Sequence, residues 1–174
     1  MNLTNILFDK SGLPEHSLST GGALGLWDIA SNKIARIPIY IIFLKQVKDK
    51  DLHKFINSTI NIVQKEIAKI QKVFKEKGFA YPSEPNWERK LKDKSPFIVS
   101  SSILNDEEIS NALKEIIRGI LGLETEALRN STNPEIRDLI YELLKDDNEI
   151  FSSLLKLQKE KNWISSVPAV LPQQ

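Results

Sequence analysis

With 174 residues, 41% of them apolar and 27% charged, the chain has the material for one domain with a full core and is too apolar to stay disordered. A formal charge of only +1 excludes a protein built to neutralise many phosphates, so no nucleic-acid partner is expected. Cysteine is absent, which excludes disulfides, thiolate metal sites and thiol nucleophiles.

The N-terminal stretch has neither a basic flank nor a sustained apolar run, so it does not read as a signal peptide; residues 1–19 are expected to be extended. The most apolar run, "IARIPIYIIFL" at Ile34–Leu44, has 11 residues and contains Arg36 and Pro38. That is too short and too interrupted to span a bilayer, and a cytoplasmic location with no membrane partner is expected.

The first predicted helix runs from about Thr20 to Lys48. Leu24, Trp27, Ala30, Ile34, Ile37, Ile41, Leu44 and Val47 recur at steps of three and four, and Pro38 predicts a kink. The second, from about Asp51 to Lys77, carries Leu52, Phe55, Ile56, Ile60, Val63, Ile67, Ile70 and Phe74 on one face. Tyr81 to Ser102 then has three prolines and no periodicity, with room for a short helix around Trp87–Leu91. Trp87 and Phe97 are expected to seal one end of the molecule or to dock a partner.

A third helix is predicted from "NDEE" at Asn105, where an amide cap and acidic residues suit the positive helix end. Ile109, Leu113, Ile116, Ile117, Ile120, Leu123, Ala127 and Leu128 form its apolar line. The fourth starts at Asn133–Pro134–Glu135, a strong N-terminal signature, and carries Ile136, Leu139, Ile140, Leu143, Leu144, Phe151, Leu154 and Leu157. Residues 164–174 are expected to be an extended tail. Four amphipathic helices with one long connection, between helices two and three, predict an all-α, ferritin-like four-helix bundle, a single domain over 1–174. An up-down-up-down bundle is the competing topology; the length of the connection over 81–104 favours a crossover.

Helices two and four align without a gap at a spacing of 84 residues, and their ends echo each other as "KEKGFAYP" and "KEKNWISSVP". Gly78 and Asn162 occupy the slot where a helix ends in the left-handed conformation. Phe79 and Trp163 are then expected to fold back on Phe74 and Leu157.

Dinuclear metal chemistry in such a bundle needs two E-x-x-H pairs, and none occurs. The two histidines, His16 and His53, lie before and at the start of helices, and Glu66 is followed by Lys69 where a ligand would be wanted. No cofactor, no metal site and no catalytic residue are therefore expected. The only metal candidates are Glu124 and Asp147. Asp147 takes the stripe position matching Val63 and is expected at the bundle edge or against a lysine. Glu124 is expected on a solvated flank, although the two could face each other across the core as a relic cation site. Asp28 reads as an early-turn charge.

"LWDIASNK" at Leu26–Lys33, "KIQKVFKEKGFAYP" at Lys69–Pro82 and "LLKLQKEKNWISSVPAVLPQ" at Leu154–Gln173 together resemble the uncharacterised ferritin-like proteins of spore-forming bacteria, distantly similar to spore coat protein F. The resemblance covers nearly the whole chain. Members often carry two bundles in tandem and a histidine near the position of Glu66, which this sequence lacks. It implies a non-catalytic structural or interaction protein, spore-associated, that pairs with itself or with coat proteins. The alternative is a ferritin-like binder with a degenerate metal or small-ligand site between the helices. A polar cluster around Glu124 and Asp147, with a metal or a lined cavity, would favour that alternative; a dry core would favour the first reading.

Overall fold

The computed structural model of the chain describes residues 20–83 and 104–164. The expectations for His16, Trp87–Leu91, Phe97 and the two extended terminal segments lie outside the described residues. The described residues form four helices: α1 (Thr20–Gln46), α2 (Lys50–Lys77), α3 (Asp106–Asn130) and α4 (Pro134–Glu160).

Local chemistry sets their ends. The Asp49 carboxylate accepts from the amides of Asp51 and Leu52 and starts α2. Asn105 and Glu108 form a reciprocal capping box at α3, and Asn133 caps α4 with Pro134 following it. Gly78 ends α2 at φ 72°, and Asn162 takes φ 58° just past α4, the left-handed positions predicted for both. Phe79 folds back so that its ring meets Phe74 edge-on at 6.1 Å. Trp163 packs into the same apolar cluster as Leu157. α1 continues as helix through Pro38.

The helices pack as a ring. α1 lies against α2 and α3, and α4 lies against α3 and α2, which leaves α2 and α3 at opposite corners. α1 and α3 run antiparallel: Gly25 meets Ala127 near one end, and Arg36 donates to the Ile116 carbonyl further along. A Cβ on Gly25 would stand 2.8 Å from that of Ala127, so glycine is what lets these two helices approach here. α2 and α4 are also antiparallel. Lys77 meets Glu135 at one end, and Lys161 reaches Asp49 and Asp51 at the other. α2 thus ends where α4 begins, whereas α3 begins beside the α1–α2 link, its Asp106 carboxylate accepting from the amides of Lys48 and Asp49. The end of α2 and the start of α3 therefore lie at opposite ends of the bundle, about 40 Å apart at 1.5 Å per residue. This is the crossover topology and not the up-down-up-down alternative.

The core divides into two apolar clusters. One holds Ile37, Leu52, Ile56, Ile109, Leu113 and their neighbours; the other holds Leu26, Ile29, Phe74, Ile136 and Ile140. The apolar line read for α1 is corrected at its start, because Leu24 is 58% and Trp27 42% exposed, while Leu26, Ile29, Tyr40 and Phe43 are buried. α1 is apolar nearly all round, so periodicity alone cannot choose its inner face. Among the described residues no helix is long and apolar enough to cross a membrane.

Candidate functional site: a lysine among three carboxylates

Between the two apolar clusters lies a charged layer to which every helix contributes one side chain. Lys33 comes from α1, Glu66 from α2, Glu124 from α3 and Asp147 from α4. All four are buried, with relative exposures of 1%, 0%, 0% and 4%. Helical spacing places them there. Lys33 continues the line Leu26–Ile29–Ala30 toward Ile37, and Glu66 lies between Val63 and Ile70. Glu124 lies between Ile120 and Ala127, and Asp147 between Leu143 and Ile150.

The Lys33 ammonium sits at the convergence point. Nζ is 2.8 Å from Glu66 Oε2 and 3.1 Å from Glu124 Oε1, and it donates a short hydrogen bond to Asp147 Oδ2. Two of these contacts complete good hydrogen bonds, to Glu66 and Asp147, and they are charge-assisted. Glu66 Oε1 and both Glu124 oxygens are buried without a hydrogen-bonding partner. Glu124 is thus held to Lys33 by charge rather than by a well-aligned bond.

Three carboxylates and one ammonium leave an excess of negative charge that a dry interior does not tolerate. Protons supply the remainder. Burial, opposed by Lys33 and reinforced by Asp147, pushes the Glu66 carboxyl up to about 7. Burial likewise pushes Glu124 up to about 9, aided by Asp147, toward which protonated Glu124 can donate. Glu124 is therefore pushed toward its neutral form. Burial works against the charge on Lys33, but the attraction of Asp147, Glu66 and Glu124 prevails and holds the ammonium above the ordinary lysine range. Tyr40, buried two turns along α1, is pushed up to about 12 by burial and by Asp147, and stays a neutral phenol.

Two of these residues, Glu124 and Asp147, were legible in the sequence, and the fold brings them together. The solvated flank expected for Glu124 is corrected: it is fully buried, because the apolar stripe of α3 is wide enough to carry it inward. Asp147 does meet a lysine, but inside the core. Lys33 and Glu66 were missed. Each stood at the centre of an i, i+3, i+4, i+7 apolar stripe, and that position was their available signal. His53 is exposed at the start of α2, far from any such role, and Asp28 is partly exposed.

Beside the layer, α2 and α4 leave a groove of about 350 Å³ whose wall includes Glu66, Thr59, Lys65, Asp146, Glu149 and Ile150.

Residues 11–174 match DUF3231, a family described as proteins of unknown function. The chain belongs to the DUF3231 family. A search of the curated proteins finds no match. Among solved structures, this DUF3231 chain is similar to a candidate spore coat protein from Bacillus halodurans C-125, with a TM-score of 0.77, 22% identity, and coverage of 90% of this chain and 96% of that one. It is also similar to a two-domain protein from Anabaena variabilis containing DJ-1/ThiJ/PfpI-like and ferritin-like domains, with a TM-score of 0.65 and 15% identity over 91% of this chain and 42% of that one. A conserved hypothetical protein from Mycobacterium tuberculosis gives 0.64 at 8% identity over 81% and 99%. At these identities the likeness concerns the fold, which is ferritin-like.

Metal-bearing bundles of this architecture hold two ions with carboxylates and imidazoles from all four helices. The donor set of this DUF3231 chain does not fit such a centre. Among the described residues no imidazole lies in the core, and the point where the carboxylates converge is filled by a cation of the chain itself. Among the described residues no group of three or more His, Cys, Asp or Glu side chains is arranged to hold a metal ion.

Proposed function

We propose that this chain is a non-catalytic structural or interaction protein, of the spore-coat type, whose outer surfaces carry its role. The observation that supports this reading most is Lys33. An ammonium already bonded to buried carboxylates has no lone pair to offer as nucleophile or base. It also holds the place that a reactive metal would need. The interior is then a structural crosspiece tying four helices together. The polar cluster that would have favoured a ligand-binding bundle exists, but it is occupied by the chain's own lysine.

The outside offers surface for association. Leu24, Trp27, Ile39 and Ile42 on the outer side of α1 are each more than a third exposed. We infer a second copy of the chain, and coat proteins, as partners on that face. The likeness to the candidate spore coat protein of Bacillus halodurans supports a spore-associated location.

Fractionation of sporulating cells of the native host tests this directly. The protein is expected in the spore coat extract. Recovery only from the soluble fraction of vegetative cells would remove the coat assignment. A second reading, a small ligand held in the α2–α4 groove against Glu66, is favoured only by the unpartnered Glu66 Oε1. It would require a reproducible bound molecule in mass spectra of the native protein.

A further inference from the structure

We propose that Lys33 is a tethered counter-ion filling a cation site built by Glu66, Glu124 and Asp147, so that removing its ammonium turns the same place into a site for a hard divalent cation. The inference rests on the reading of Lys33 given above and extends it from an obstacle to a determinant of specificity.

Three carboxylates from three different helices converge on one atom. Two of them stand 2.8 and 3.1 Å from Nζ, and the third is closer. Oxygen ligands of calcium lie at about 2.3–2.6 Å and those of smaller divalent ions nearer to 2.1 Å, so a closure of at most about one ångström per ligand would suffice. An acidic cluster alone would carry little weight. Here, however, Glu66 Oε1 is fully buried and lacks a hydrogen-bonding partner, leaving an unused acceptor beside an already occupied cation position. Carboxylate donors without imidazole or thiolate suit hard ions such as magnesium, calcium or manganese. The groove between α2 and α4 includes Glu66 in its wall.

Charge points the same way. Lys33 leaves the layer short by two positive charges when all three carboxylates are ionised, whereas a divalent ion would leave it short by one.

The test is calorimetric titration of Mn²⁺ and Ca²⁺ into the wild-type chain, Lys33→Ala and the double variant Lys33→Ala/Glu124→Gln, with circular dichroism at 222 nm to monitor folding. Lys33→Ala is expected to bind one ion per chain, with a raised Tm. The wild type should bind none at this site, and the double variant should bind about tenfold more weakly or worse. If Lys33→Ala folds only in the presence of Mn²⁺, the proposal stands. A folded Lys33→Ala that binds no ion, or an unfolded one whose folding Mn²⁺ does not restore, overturns it and leaves the reading of the wild-type protein intact. Stoichiometric binding at this layer by the wild type would defeat both.

Discussion

At Glu66 and Glu124 the cost of burying charge is converted into a dependence on pH. Their carboxyls ionise at about 7 and about 9 in the fold, against an ordinary value of 4.5. The native state therefore holds protons more tightly than the unfolded chain. Their contribution is complete below the ordinary carboxylate range and is lost as pH rises, first through 7 and then through 9. Thermal unfolding followed from pH 5 to pH 9 should show a falling Tm, with a slope of at most about 1.4 kcal/mol per pH unit for each proton involved. A Tm that is flat or rises over this interval would mean that both carboxyls are already ionised in the fold. At the acid end Asp49 acts oppositely. Its carboxyl is held below the usual range by Lys161 and the amides it caps, although burial opposes this, so its contribution disappears as pH falls below about 4.

Among the helices, the ends were far more legible than the faces. Gly78, Asn105, Asn133 and Asn162 announced themselves because capping uses few residue types at fixed positions. The two echoing segments proved to be equivalent helix ends, and the one at Gly78 is open to a simple test. Nothing lies within 4 Å of a Cβ built there, so Gly78→Ala should cost only the strain of a positive φ, about 1 kcal/mol by urea unfolding. Asn162→Gly should change stability by less and in the opposite direction. A loss of several kcal/mol at Gly78 would mean that its neighbours pack more closely than the geometry indicates. The face of α1 was misjudged for a different reason. An apolar outer side adds a second stripe, and only the packing of α2 and α3 against the inner one selects between them. Lys33 disappeared into that ambiguity, since a lysine on an uncertain stripe reads as a surface charge. Glu66 was hidden beside the lysine-rich flank of α2, where carboxylates are ordinarily solvated. Glu124 and Asp147 were legible as positions, but their surroundings depended on two residues the pattern did not mark.

For the whole molecule, the crossover topology follows from the long connection together with the ion pairs that fix each end of α2, and the outer face of α1 predicts self-association. Light scattering at high protein concentration should report a dimer, and Trp27→Glu should return it to the monomer without lowering Tm. A wild-type chain that stays monomeric would place the partner surface elsewhere. All four helices contribute to the charged layer, so global stability reads it out. Urea unfolding of Lys33→Met against wild type at pH 8 and pH 5.5 is the most direct measurement of the account. The variant should lose about 3–5 kcal/mol at pH 8, where carboxylates are left without their cation, and much less at pH 5.5, where they bind protons instead. Equal losses at the two pH values, or no loss at pH 8, would contradict the role assigned to Lys33.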